Sequence, residues 1–207
     1  MKGVITERRL DKFARVAALR QNMTVIIENV HDPHNIGAVM RTCDSVGIQE
    51  MYVLYTEARL TEERLKEVQG SSTGVRKWLD VHFFTEPALC FQAVRKKYDK
   101  IWATHLDTES VELYELDLTD KVALLFGNEH EGLTEAALSY TDGNFIIPQF
   151  GMVNSLNISV ACAVSLYEAA RQRHKKGMYS EELQDAGPKR DLYNSYIDIH
   201  NKRYIRS

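Results

Sequence analysis

Three polar stretches of the sequence carry side chains suited to binding charged or hydroxylic ligands. In the first stretch, Asn35 and Arg41 lie six residues apart, near the start of a predicted helix. A guanidinium is a permanent cation with five donors and suits phosphate. A helix-capping Asn and a solvated Arg would explain the same residues. His31 and His34 are close by, but no third ligand is near them in the sequence, so a metal site is not predicted.

The second stretch runs from Gly127 to Leu133 and places Asn128 and Glu129 between two glycines. Glycines of this kind let backbone N–H groups approach a ligand closely. The spacing of the glycines is that of a phosphate-binding P-loop, but Leu133 stands where the P-loop lysine is required. The chain also contains no G-x-G, so the usual dinucleotide fingerprint is absent. These observations argue against nucleotide hydrolysis and against a dinucleotide cofactor.

The third stretch begins at Ile147 and leads into a long predicted helix. Ser155 is placed to cap that helix, with Asn157 and Ser159 in its first turn. Two Asn and two Ser within six residues are more polar groups than a cap requires. The composition therefore favours a ligand pocket, and capping alone is the alternative.

Apolar runs alternate with amphipathic segments along the chain. The predicted strands are 24–28, 51–55, 78–84, 100–103, 122–126 and 145–147. The predicted helices are 6–20, 36–46, 61–68, 87–98, 133–140, 155–174 and 188–207. Apolar strands separated by helices indicate an α/β fold with a parallel sheet covered on both faces. Ligand sites in such folds lie beyond the carboxyl ends of the strands, where the three polar stretches fall.

Composition is typical of a soluble globular protein, with 44% hydrophobic and 27% charged residues among 207. A net charge of −3 by itself argues against nucleic acid binding. The charge is uneven, however, because residues 1–20 and 171–207 each carry a net +4 and residues 21–170 carry −11. The basic ends are either solvated helix faces or surfaces for a polyanion. Three separated cysteines and an N-terminus without an apolar core predict a cytoplasmic location.

In their order and spacing, the three stretches resemble the signature motifs of the SpoU family of RNA 2′-O-ribose methyltransferases, in the SPOUT superfamily. The resemblance runs from about Thr24 to Ala170. The first motif, N-x-G-x-x-x-R-T, begins at Asn35. The second, F-G-N-E-x-x-G-L, begins at Phe126, and the third, I-P-x-x-G-x-x-x-S-L-N-x-S-x-A, begins at Ile147. The resemblance implies a parallel sheet with helices on both faces and a C-terminal trefoil knot.

The resemblance also implies a cofactor, S-adenosyl-L-methionine, and a set of site residues. It assigns catalysis to Arg41, Asn35, Glu129, Ser155 and Asn157. It assigns cofactor binding to Thr104, His105, Leu106, Gly127, Asn128, Ile147, Met152 and Leu156. Because a free Arg is a poor base, Arg41 is expected to stabilise the developing alkoxide and to contact the adjacent phosphate. Glu129 is expected to hold the second loop or Arg41, Asn35 and Asn157 to orient their neighbours, and Ser155 to support the pocket.

A homodimer without metal is implied as well, with Arg41 of one subunit acting at the cofactor pocket of the other. The apolar face of helix 155–174 suits either that interface or the core. Helical extensions at 1–22 and 177–207 around a catalytic domain at 23–176 resemble the subgroup that methylates guanosine 18 in the D-loop of tRNA. The alternatives are the same reaction on ribosomal RNA or at another tRNA position, and an RNA-binding module without catalysis.

Overall fold

A parallel sheet lies at the centre of the computed structural model, which describes residues 5–57, 74–107, 109–129, 131–152 and 155–205. Seven strands are found in these ranges: β1 Met23–Glu28, β2 Glu50–Leu54, β3 Asp80–Phe84, β4 Lys100–Thr104, β5 Val111–Glu112, β6 Val122–Phe126 and β7 Gly143–Ile146. Their order across the sheet is β3-β2-β1-β6-β4-β7-β5, and every neighbouring pair is parallel. The predicted α/β fold with a parallel sheet is confirmed.

Helices connect the strands and cover both faces of the sheet. Those described are α1 Glu7–Ala18, α2 Pro33–Ser45, α3 Pro87–Arg95, α4 Glu135–Leu138, α5 Ile158–Lys175 and α6 Pro188–Ile205, with a 3₁₀ turn at Leu113–Glu115. The helix predicted at 61–68 lies outside the described residues. None of the helices in the described ranges has the length and apolar character needed to cross a membrane.

Alternating side chains of the inner strand β1 contribute to two separate cores. Val25 and Ile27 pack with residues of α2 and α5 on one face, while Ile26 packs with residues of α3 on the other. All six residues of β1 are buried. A strand with no exposed face explains why Val25, Ile26 and Ile27 are apolar in succession instead of alternating with polar residues.

The starts of α2 and α5 differ from the predicted ones because of their capping side chains. Asp32 caps α2 by accepting a 2.8 Å hydrogen bond from the His34 N–H, and the helix begins at Pro33. Asn157, and not Ser155, caps α5: its Oδ1 accepts from the backbone N–H of Ser159 at 2.9 Å. The prediction that Ser155 is the cap is therefore wrong.

The terminal helices α1 and α6 pack against each other beside the sheet. Phe13 and Ala17 of α1 and Tyr196 of α6 are buried in a small cluster of their own. Arg20 follows α1 and is only 6% exposed. Its guanidinium donates to Tyr196 Oη at 3.0 Å and to Asp44 Oδ1 of α2 at 2.8 Å. This arginine ties the terminal helices to the helix that carries Arg41.

Candidate active site

A cavity of about 650 Å³ opens at the carboxyl ends of β4, β6 and β7. This size is within the usual range for small-molecule sites. Seven of the predicted cofactor residues line it: Thr104, His105, Leu106, Gly127, Asn128, Ile147 and Leu156. Glu129 and Ser155 of the predicted catalytic set line it too. Met152 does not line the cavity, and its side chain is 99% exposed.

Apolar side chains form the walls of this cavity, and its polar groups lie at the loops. Phe126 and Phe145, at the ends of two strands, contribute to the lining and were not singled out from the sequence. Leu106, one of the lining residues, is 79% exposed, so a bound ligand could cover it. Apolar walls with a few polar groups suit a purine nucleoside carrying a charged chain, so the cavity fits S-adenosyl-L-methionine.

Backbone hydrogen bonds close the loop after β6, and its shape depends on two glycines. Asn128 and Gly132 exchange two backbone hydrogen bonds of 3.0 and 2.9 Å. A Cβ added to Gly127 would lie 2.3 Å from the carbonyl oxygen of Gly132, and Gly132 has a φ of +71°. Glycine is therefore required at both positions by the shape of the loop itself.

A chain of hydrogen bonds joins the three motifs at the edge of the cavity. Asn35 Nδ2 of α2 donates to Glu129 Oε1 of the second motif at 2.7 Å. Asn157 Nδ2 of the third motif donates to Asn35 Oδ1 at 3.1 Å. Asn157 Oδ1 also accepts from the Ser159 hydroxyl at 2.6 Å. Four polar residues from distant parts of the sequence thus form one network.

Arg41 lies apart from this network and from the cavity lining. It is on α2, exposed, and within the described ranges it has no hydrogen bond or ion pair. Glu129, the carboxylate that was expected to hold the second loop or Arg41, accepts a hydrogen bond from Asn35 and has no bond to Arg41. Among the residues that the structure describes, the guanidinium is therefore free to bind another group.

Glu28 and Asn29, which were given no role from the sequence, hold the loop after β6 by hydrogen bonds. Glu28, the last residue of β1, accepts from the N–H and the hydroxyl of Thr134 at 2.9 and 2.7 Å. The carbonyl of Asn29 accepts from Asn128 Nδ2 at 2.8 Å, and Asn29 has a φ of +53°. A buried acid at the end of an apolar strand was the available signal, because such a group requires a partner.

No group of three His, Cys, Asp or Glu side chains in the described part of the chain could hold a metal ion.

The sequence profile of the SpoU rRNA Methylase family matches residues 22–167. The chain is 38% identical to the tRNA (guanosine(18)-2'-O)-methyltransferase of Thermus thermophilus over 181 residues, which cover 87% of this chain and 91% of that protein. A TrmH/SpoU tRNA modifying enzyme of A. aeolicus superimposes with a TM-score of 0.76 at 32% identity, over 95% of this chain and 96% of that one. The SpoU methyltransferase AviRb from Streptomyces viridochromogenes, solved in complex with AdoMet, superimposes with a TM-score of 0.63 at 28% identity, over 75% of this chain and 62% of that one. This chain belongs to the SpoU rRNA Methylase family.

Proposed function

We propose that this protein transfers a methyl group from S-adenosyl-L-methionine to the ribose 2′-hydroxyl of guanosine 18 in the D-loop of tRNA. Membership of the family makes the chain an RNA methyltransferase that uses this cofactor. The Thermus relative with that tRNA activity in its name matches nearly the whole chain and supports the choice of substrate. The observation that carries the proposal is the Asn157–Asn35–Glu129 network at the edge of the cavity. A cytoplasmic location is part of the proposal, supported by three free, buried cysteines.

The cofactor supplies an activated methyl group when bound, and the protein positions it. Leu106, Ile147 and Leu156 are the apolar side chains that would contact its adenine, and the backbone of Gly127 and Asn128 would contact its polar groups. Holding the ribose hydroxyl in line with the methyl group lowers the activation barrier through positioning alone. In favourable cases this effect is on the order of 7 kcal/mol.

Arg41 is proposed to contact the phosphate next to the reacting ribose and to stabilise the developing alkoxide. A guanidinium stays protonated at neutral pH, so it acts as a cation and donor and not as a base. Its exposure and the absence of a partner for it in the described residues support this role. The hydroxyl proton is expected to pass to that phosphate or to water.

A homodimer in which Arg41 of one subunit acts at the cavity of the other is also proposed. Arg41 does not line the cavity of its own chain, which supports an active site shared between subunits. Val160 and Tyr167 of α5 are 46% and 57% exposed, and the Tyr167 hydroxyl donates to Ser45 Oγ of α2 at 3.3 Å. An exposed apolar face next to the Arg41 helix is what such an interface requires.

The trefoil knot of the family is a further part of the proposal. Strand β7 lies between β4 and β5 in the sheet, although both of these precede it along the chain. A chain that inserts late between earlier segments supports a threaded C-terminal region.

Mapping the methylated nucleotide tests the proposed substrate. The protein is incubated with labelled cofactor and unmodified tRNA, and nuclease fragments are analysed by mass spectrometry. A single 2′-O-methyl group at guanosine 18 is expected, and a tRNA with 2′-deoxyguanosine at that position should stay unmethylated. Methylation at another position, or of ribosomal RNA only, would contradict the substrate, and no methylation of any RNA would contradict the enzyme function.

A further inference from the structure

Glu28 is a buried carboxylate whose position the reaction outlined above does not explain. It is the last residue of β1, has 0% exposure, and has no cationic partner among the described residues. Its two oxygens accept from the backbone N–H and the hydroxyl of Thr134. Burying a carboxylate without a cation is costly, so these donors determine where it can lie.

Thr134 connects this carboxylate to the loop that lines the cavity. Its hydroxyl oxygen accepts from the Ala137 N–H at 3.2 Å and so caps α4, directly after the loop that begins at Gly127. The other end of the same loop is held by Asn128, whose Nδ2 donates to the Asn29 carbonyl at 2.8 Å. Two consecutive residues, Glu28 and Asn29, therefore hold both ends of the loop after β6.

The loop held in this way also carries Glu129, which accepts from Asn35. A shift of the loop would thus change both the cavity and the network that joins the motifs. Glu28 itself is not among the residues that line the cavity.

We infer that Glu28 is a positioning residue for cofactor binding, acting through Thr134 to fix the loop after β6. The inference rests on the proposed function in taking the cavity as the cofactor site. It requires hydrogen bonding by residue 28 and not its negative charge. A Gln at this position can still form two hydrogen bonds with Thr134, one of them reversed: its carbonyl accepts from the Thr134 N–H while its NH₂ donates to the Thr134 hydroxyl oxygen.

The test compares cofactor affinities of full-length variants by titration calorimetry, below the unfolding temperature of each variant. Glu28→Ala should raise the Kd for S-adenosyl-L-methionine about tenfold or more, because it leaves the Thr134 N–H without a partner. Glu28→Gln should stay within about threefold of the unchanged protein, since the contacts are retained. Thr134→Val keeps the backbone N–H and removes only the hydroxyl, so an effect between these two is expected.

Glu50 provides the matched control for loss of stability alone. It is a buried carboxylate at the start of β2, at the end of the sheet opposite the cavity, and is 7% exposed. Glu50→Ala should lower thermal stability while leaving the cofactor Kd within about threefold of the unchanged protein, because its partners do not line the cavity.

Equal losses of affinity in Glu28→Ala and Glu50→Ala would overturn the inference, as would unchanged affinity in a folded Glu28→Ala protein. If Glu28→Ala does not fold, unchanged affinity in Thr134→Val overturns it instead. Absence of cofactor binding by the unchanged protein would contradict the proposed function as well. If the unchanged protein binds the cofactor and the variants bind it equally well, only the role of Glu28 would be contradicted.

Discussion

The side-chain amide of Asn35 donates a 2.7 Å hydrogen bond to the carboxylate of Glu129, although 94 residues separate the two in the sequence. One residue belongs to the helix that carries Arg41, and the other to the loop that lines the cavity. This bond is therefore the direct link between the proposed RNA-contacting helix and the proposed cofactor site.

The link predicts that Asn35→Ala and Glu129→Ala act non-additively. Each should lower kcat/KM, and the double variant should be little worse than the poorer single one, with a coupling energy of about 0.5 to 3 kcal/mol. Steady-state kinetics of the four proteins measures this. Arg95→Ala, which breaks an ion pair with Asp142 away from the cavity lining, should have no effect and serves as the control. Additive losses would mean that the two residues act separately.

Arg41→Ala should lower kcat about 100-fold or more, the usual loss when a group that stabilises transition-state charge is removed. The Kd for the cofactor should stay within about twofold, because Arg41 does not line the cavity of its own chain. Arg41→Lys keeps the charge but loses the forked geometry, so an intermediate rate is expected. Single-turnover methylation assays check these values, and full activity of the Ala variant would rule out the proposed role.

Gly127→Ala should abolish tight cofactor binding. The new Cβ would lie 2.3 Å from the Gly132 carbonyl oxygen, and this backbone atom cannot move without opening the loop. A loss of stability of about 1 to 3 kcal/mol should accompany it. Gly74→Ala is the control, because its Cβ would meet nothing within 4 Å. Calorimetric titration and thermal melting distinguish the two, and wild-type affinity of Gly127→Ala would contradict the loop geometry.

The basic face of α1 should contribute to tRNA affinity. Arg8 and Lys12 are exposed beside a second cavity between α1 and α6. Replacing both with Ala should weaken tRNA binding and reduce the slope of log affinity against log salt by up to about 2. Lys96→Ala, on the exposed end of α3, is the control. Point substitutions are preferable to truncation, since removing α1 would expose Tyr196 and removing α6 would expose Phe13. An unchanged salt slope would show that Arg8 and Lys12 contact solvent and not tRNA.

Glu50 should make stability depend on pH. Burial alone would raise its pKa, but hydrogen bonds from His82, Lys97 and Tyr98 outweigh burial and lower the pKa from 4.5 to about 2. Because the folded pKa lies below the unfolded one, the stabilisation is present above pH 4.5 and is lost as the pH falls towards 2.

Glu50→Gln should therefore lower the free energy of unfolding at pH 7 by about 2 to 3 kcal/mol. The difference from the unchanged protein should shrink in acid, as urea denaturation at pH 7 and at low pH will show. Glu112→Gln, at an exposed position, should change stability by less than about 0.5 kcal/mol. A pH-independent effect of Glu50→Gln would contradict this account.

The sequence predicted the elements that burial dictates and missed those that depend on partners elsewhere. Strand β6 is buried throughout, and its apolar run gives its bounds directly. Strand β5 has only two residues and exists because Val111 pairs with Phe145 of β7, so no local pattern indicates it. Glu28 has no role that the sequence predicts, since its partner Thr134 is 106 residues away. The choice of Asn157 over Ser155 as the helix cap depends on backbone geometry that side-chain types do not specify.

The pairing of β1 with β6 has a consequence for synthesis of the chain on the ribosome. Met23 of β1 pairs with Val122 of β6, so β1 leaves the exit tunnel long before its neighbour β6 has been synthesised. At roughly 5 to 20 residues per second, that delay is on the order of 5 to 20 s. During this time β1 can pair only with β2 on its other side, and the free edge of this largely apolar strand stays open to other nascent chains. Yield of this protein in cells should therefore depend on chaperones that cover such edges until β6 emerges.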